Sequence, residues 1–250
     1  MSEASAQNTS TLGAYLELLR ELARAGLETI VIGGCAVGAY ARTLGATVIS
    51  QDLDLLATGA TLDAIVADAP LFRLTIEKLP QPRSVPVAVF RWKDLEVNVI
   101  TSSSGLATAD VEAQVAREFQ VSDDDSFSIL VADPFDLLRN KLAVGRPKDL
   151  PHIDLLKQFI EEELVAQFVA ATRPRDRIAP IVRYLEVLQT STIAPALSKR
   201  LIAAVTTLPA VRMLAHRVPI ELLPELLNRV SDPGMRSAIE EIQRSRRVEK

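Results

Sequence analysis

The residues best suited to chemistry are Asp52 and Asp54, one position apart in Gln51-Asp52-Leu53-Asp54-Leu55-Leu56. The run reads as a strand, where side chains alternate faces, so both carboxylates point one way while Leu53 and Leu55 point the other. Two like charges side by side stay ionised together only if something positive lies between them. A divalent metal ion suits that place, because hard cations take carboxylate oxygens. Upstream, Val31-Ile32-Gly33-Gly34-Cys35-Ala36-Val37 reads as a strand whose glycine pair turns straight into a helix. Glycine permits a tight turn and close backbone approach, and a helix N-terminus offers free N–H groups to an anion. Metal and phosphate in one place imply nucleotide chemistry.

The elements that must position these residues follow from periodicity. Leu12, Tyr15, Leu16, Leu19, Leu22 and Ala23 recur at helical spacing, with Gly26 as a C-terminal cap. Thr29 to Ile32 predicts a strand, Cys35 to about Leu44 a helix, and Thr61 to Ala67 a short helix with Thr61 as its cap. Ser84 to Trp92, with Val85, Val87 and Val89 on one face, and Leu95 to Ile100 predict a hairpin turning at Lys93-Asp94. Its second strand places Leu95, Val97 and Val99 inward and Glu96 and Asn98 on the other face. Ala109 to Phe119 is expected to be helical, Asp123 to Asp125 a solvated loop, and Ser126 to Val131 a strand.

Asp133-Pro134 is a strong helix start, with Asp136 in the first turn, and that helix stops at Gly145. A connector, Arg146-Pro147-Lys148-Asp149, leads to a long helix from Leu150 to Ala170 with Ile153, Leu156, Phe159, Ile160 and Leu164 on its apolar face. Beyond Thr172 to Asp176 strands vanish. Short helices near 178–190, 195–206, 209–217, 219–230 and 233–246 follow, with Pro180, Pro195, Pro209, Pro219, Pro224 and Pro233 in first turns. Arg244 to Lys250 is expected to fray. The expected organisation is a flexible stretch 1–10, a mixed α+β domain 11–171 and an all-helical domain 172–250.

Composition narrows the class. In 250 residues, 48% apolar content fits a folded globular chain, and 4% aromatic content means cores of Leu, Val, Ile and Ala. A net charge of −4 gives no support for bulk nucleic-acid binding, although a local basic patch needs little charge. One cysteine, Cys35, rules out an internal disulfide, and with His152 and His216 is too little for a zinc cluster. The polar start lacks a signal-peptide plan, and no apolar run is long enough for a bilayer, so a cytoplasmic protein without a membrane partner is expected.

With Gly33-Gly34 followed by Asp52-Leu53-Asp54, the chain resembles the nucleotidyltransferase superfamily that shares the DNA polymerase β catalytic fold. The closer likeness is to small bacterial members such as the AbiEii-type toxin group and related minimal nucleotidyltransferases. Asn140-Lys141-Leu142-Ala143, then Gly145 to Asp149 and Asp154, look like that group's downstream Lys and Lys-Asp-x-x-x-x-Asp region. The resemblance spans roughly residues 12 to 165 and leaves the helical tail aside. It implies a nucleotidyltransferase-like mixed sheet flanked by helices, and transfer of a nucleoside monophosphate from an NTP to an acceptor, with pyrophosphate release. Asp52 and Asp54 would hold Mg²⁺ or Mn²⁺. Gly33, Gly34, Ser50 and the following helix would hold the triphosphate, and Lys141 would neutralise charge on the leaving pyrophosphate.

Asp149 or Asp154 would orient Lys141 or the acceptor, with Lys148 in the same region. The family's third carboxylate falls at Asn98, which offers a carbonyl oxygen but no charge; Glu96, on the same face, would have to substitute. Val48 and Ser50 stand where relatives carry Arg and Thr. The bland readings are a solvated edge strand for the aspartates, a surface lysine for Lys141, a solvated loop for Arg146 and Lys148, a helix cap for Asp149 and a packing residue for Cys35. The acceptor could be RNA such as a tRNA end, a protein or a small hydroxylated molecule. A catalytically silent nucleotide-binding or protein-interaction module, or a toxin held by an antitoxin partner, are the alternatives.

Overall fold

The computed structural model describes residues 11–80, 87–106, 116–122, 125–205 and 207–248. Among them, seven strands form one mixed sheet: β1 (Ile30–Ile32), β2 (Asp52–Leu56), β3 (Leu74–Lys78), β4 (Val87–Trp92), β5 (Leu95–Ile100), β6 (Ala116–Ser122) and β7 (Asp125–Ala132). The spatial order is β3-β4-β5-β2-β1-β7-β6. β2 runs parallel to β5 and antiparallel to β1, and β1 runs parallel to β7. The central strand is therefore β2, flanked by β5 and β1, and these three are the strands predicted to carry the chemistry. The helices of this part are α1 (Leu16–Arg24), α2 (Gly33–Thr43), α3 (Gly59–Ala67), α4 (Pro134–Val144) and α5 (Leu150–Ala170). The α+β class is as expected.

Local signals explain most boundaries. Asp133 caps α4 by accepting from the Phe135 N–H at 3.0 Å, and Gly145, at φ +65°, ends it in the left-handed conformation. All five apolar-face residues of α5, from Ile153 to Leu164, are buried. The hairpin β4–β5 turns at Lys93-Asp94. α2 is anchored far from its own start by Tyr40, whose hydroxyl donates to the Ala132 carbonyl at 2.8 Å. The Tyr40 ring lies 5.1 Å from Phe119 and 4.7 Å from Phe159, centroid to centroid. Burying one such aromatic side chain contributes about 2 kcal/mol. That anchoring fixes where the N-terminus of α2 points.

Several expectations are corrected. Residues 116–119, expected to be helical, belong to β6, because pairing with β7 overrides local propensity; 107–115 lie outside the described residues. Asp125, expected in a loop, begins β7, while 123–124 lie outside the described residues. β3 carries no sequence signal, since only Leu74 of its five residues is buried. In β4 the expected alternation holds, with Val87 and Val89 on one face and Ala88, Phe90 and Trp92 buried on the other; Val85 is outside the described residues. The cap of α3 is Thr58, accepting from the Thr61 N–H at 3.0 Å, so the helix starts earlier than expected.

The chain divides into two compact units at Phe159–Ile160, within α5 and upstream of Thr172–Asp176. The second unit is helical, with α6 (Pro174–Leu188), α7 (Pro195–Ala204), α8 (Leu208–Arg217), α9 (Leu223–Leu227) and α10 (Pro233–Val248). Its interior is built from side chains such as Ile181, Leu197, Leu201, Leu214, Leu223 and Ile239. Pro174 takes the first turn of α6, which leaves Pro180 inside that helix rather than at its start. α10 persists to Val248 instead of fraying from Arg244, because Arg246 donates to the carbonyls of Ala215 and Val218. No helix among the described residues is long and apolar enough to cross a membrane.

Candidate functional site

Parallel pairing of β2 with β5 sets Asp52 opposite Glu96 and Asp54 opposite Asn98. Leu53 and Leu55 fill the core, so the four polar side chains share the other face. They converge on one atom. Asn98 Nδ2 lies 3.2 Å from Asp52 Oδ2, 3.1 Å from Asp54 Oδ1 and 3.4 Å from Glu96 Oε1. An amide nitrogen has two hydrogens for these three acceptors, and it is neutral. Ser50 Oγ adds a donor to Asp52 Oδ1 at 3.2 Å. Burial, then the charge of Asp52, pushes the Asp54 carboxyl up to about 6, although Asn98, Lys141 and Arg146 pull the other way. The cluster holds more negative charge than its donors offset.

Antiparallel pairing of β1 with β2 sets Ile32 opposite Asp54 and so delivers the glycine turn to the carboxylates. Gly33 has φ +69°, and a Cβ there would fall on Asp54 Oδ2 and come within 2.9 Å of Asp54 Cγ. A Cβ on Gly34 would sit 2.5 Å from Ser50 Oγ. Both positions need glycine because backbone and side chain approach so closely. No side chain caps the start of α2, so its first N–H groups are left without a capping side chain. Cys35 donates to the Asp52 carbonyl at 3.4 Å. Burial, with Asp54 and Asp52 nearby, pushes its thiol up to about 12, which keeps it protonated and inert.

A second cluster comes from α4 and the 3-10 turn Pro147–Asp149. Lys141, 3% exposed, donates to Asp149 Oδ1 at 2.8 Å, and Arg146 Nε donates to Asp149 Oδ2 at 2.7 Å. Burial works to raise the Asp149 carboxyl, but hydrogen bonds from Arg146 and Lys141 outweigh it and hold the group at about 2. Asn140, beside Lys141, donates to Ser103 Oγ at 3.0 Å. His152, in the first turn of α5, places Nδ1 3.7 Å from Asp149 Oδ1. Its Cε1 lies 3.7 Å from where a Gly34 Cβ would be, so this cluster adjoins the glycine turn.

The structure thus brings Asp52, Asp54, Glu96, Asn98, Ser50, Gly33 and Gly34 together, and joins Lys141 to Asp149. Lys148 and Asp154 are exposed and stand outside both groups. Arg146, weighed from sequence as a phosphate contact but read as a solvated loop, joins the second group, and His152, weighed only as a zinc ligand, lies beside it. Their signal was spacing, since each lies three residues from Asp149 in a turn-forming segment.

Among the described residues, no group of three or more His, Cys, Asp or Glu side chains is disposed to hold a metal ion. Magnesium is commonly held by one or two carboxylates completed by substrate phosphates and water. Asp52 and Asp54, with the carboxamide of Asn98 between them and an uncompensated charge, fit that kind of shared site.

No family model matches the chain, and no curated protein matches it. Among solved structures it is similar to an antigenic nucleotidyltransferase-like protein from Paracoccidioides brasiliensis, at 14% identity and TM-score 0.46, over 78% of this chain and 94% of that one. It is also similar to the antibiotic-resistance factor ANT(2'')-Ia in solution, at 12% identity and TM-score 0.44, over 71% of this chain and 95% of that one. The complex of ANT(2'')-Ia with adenylyl-2''-tobramycin overlaps at 14% identity and TM-score 0.43, over 69% and 98% of the two chains. At this level of likeness the overlaps assign neither a reaction nor a residue.

Proposed function

We infer that this chain is a metal-dependent nucleotidyltransferase, moving a nucleoside monophosphate from an NTP to an acceptor hydroxyl with release of pyrophosphate. The observation that carries this reading is the abutment of the Gly33–Gly34 turn on Asp54 and Ser50. Phosphates received by the N–H groups of α2 would lie beside the two aspartates, where like charges call for a cation. Asp52 and Asp54, joined by the Asn98 carbonyl oxygen once the amide turns its nitrogen away from them, would hold Mg²⁺ or Mn²⁺, which when bound neutralises phosphate charge and polarises the phosphoryl group.

The residues themselves have separable tasks. The turn and Ser50 would orient the triphosphate so that the acceptor oxygen can attack the α-phosphorus in line with the departing pyrophosphate. Lys141, fixed by Asp149, would supply a positive field for the leaving group, and Arg146 would turn its remaining N–H groups to the same oxygens. Glu96, at the margin of the cluster, would receive the acceptor proton. The acceptor classes consistent with this chemistry are RNA, a protein and a small hydroxylated molecule. Kinship to the AbiEii-type group, and with it an antitoxin partner, rests on the motif alone.

One observation favours a second reading. Asn98 sits at the centre of the cluster where a carboxylate would strengthen metal binding, which suits a nucleotide-binding module without turnover. Calorimetry with each NTP, with and without Mg²⁺ or Mn²⁺, separates these readings when repeated on Asp52→Ala/Asp54→Ala. Metal-dependent binding lost in the double variant, with labelled NTP consumed when an acceptor is supplied, is the expected result. Binding without turnover on any acceptor class selects the silent module. No binding in either protein overturns both.

A further inference from the structure

Between the glycine turn and the Lys141–Asp149–Arg146 cluster stands His152, to which the reaction above gives no task. Its Nδ1 is buried without a hydrogen-bond partner, and at 3.7 Å from Asp149 Oδ1 it is too far to donate. The side chain is 21% exposed, so with Nδ1 buried that exposure belongs to its other atoms. A buried polar atom left unpaired costs free energy, and an apolar residue in the first turn of α5 would have avoided it. Asp149 does not need the imidazole, because Lys141 and Arg146 already occupy its two oxygens. Burial and the charge of Lys141 hold the His152 ring below the usual histidine range, with Asp149 opposing. The ring is neutral at neutral pH.

What the ring does border is the start of α2, at Gly34. We propose that His152 is a phosphate-binding residue of the nucleotide site, donating from Nε2 to a phosphate oxygen of a triphosphate seated on the Gly33–Gly34 turn. The proposal rests on the nucleotidyl-transfer reading. A neutral imidazole has one N–H, and a phosphate acceptor selects the tautomer that carries it on Nε2. The triphosphate adds negative charge beside Lys141 and Arg146, which with Asp149 opposing them disfavour a protonated ring in the free protein. The charged groups facing the ring are Asp149, Lys141 and Arg146. The Nε2 donor beside the glycine turn then has a partner, while Nδ1 stays an unprotonated acceptor.

The chain contains two histidines, His152 and His216, which makes the test direct. Nitrogen-15 labelling of histidine and long-range NMR would follow both imidazoles as MgATP, magnesium tripolyphosphate or AMP is added to the full chain. The expected result is that ATP and tripolyphosphate move the His152 ring nitrogens toward the Nε2–H form, while His216 stays unchanged. His152→Ala is expected to weaken ATP and tripolyphosphate about tenfold, with AMP affinity preserved and His152→Gln restoring most of the loss. A purely structural histidine would not split triphosphate from monophosphate in this way. If ATP binds in an Asp52- and Asp54-dependent manner while His152 is silent and His152→Ala binds normally, the proposal falls and the nucleotide site stands. If neither ATP nor tripolyphosphate binds, both fall.

Discussion

Asp54 and Asp149 are carboxylates of one unit in poorly hydrated surroundings, yet those surroundings drive them in opposite directions. Asp54 meets Asp52 and a neutral amide, and its carboxyl is pushed up to about 6. Asp149 meets an ammonium and a guanidinium, and is held at about 2. The difference is one of compensation rather than depth. Asp149 is completed by its own chain, so it holds α4, the 3-10 turn and α5 together. Asp54 is hydrogen-bonded by a neutral amide and by no cation among the described residues, so it is poised to take a cation from outside. One cluster is scaffold and the other is site, and charge balance separates them better than burial does.

The comparison breaks most severely at Asp149. Replacing it by Ala removes the carboxylate to which buried Lys141 donates, and urea denaturation should show a loss of about 3–5 kcal/mol. Lys141→Met should cost less, since Arg146 still pairs with Asp149. The glycine turn comes next. Gly33→Ala imposes a Cβ on Asp54 and a strained φ, with an expected loss of about 2 kcal/mol in the same assay, and metal-dependent NTP binding should disappear with it.

Asn98→Asp sharpens the contrast from the other side. A third carboxylate should raise Mn²⁺ or Mg²⁺ affinity roughly tenfold by calorimetry and lower the melting temperature of the metal-free protein.

The smallest effect is the dependence on pH. Asp54 has a folded-state value near 6 against 3.8 in the unfolded chain, so its contribution is intact below about 3.8 and lost as pH rises through 6. Asp149 runs the other way: its contribution is intact above about 3.8 and lost as pH falls toward 2. His152, held below 6.5, opposes Asp54 in the middle of this range by losing stability as pH falls. The clean measurement is therefore a difference. Metal-free Asp54→Asn should melt a few degrees above the wild type at pH 7.5, and the gap should close by pH 4. A gap that stays constant with pH would mean that Asp54 is not the titrating group.

What the sequence by itself determined is local. Alternation in Asp52-Leu53-Asp54-Leu55 decided which side chains share a face. The Asp133-Pro134 start and Gly145 stop of α4, and the apolar stripe of α5, follow from capping and period, which act within a few residues. The glycine pair was legible as a turn, and the need for glycine at both positions came from neighbours across the sheet. Tertiary structure alone decided the rest. It set Asp54 opposite Asn98 through a pairing that spans 44 residues of chain, and it brought Asp149 onto Lys141 and His152 against Gly34. It also turned residues 116–122 into a strand and added the polar edge strand β3, neither of which carries a pattern of its own. Register, pairing and charge compensation are long-range contacts, and no window of sequence contains both partners.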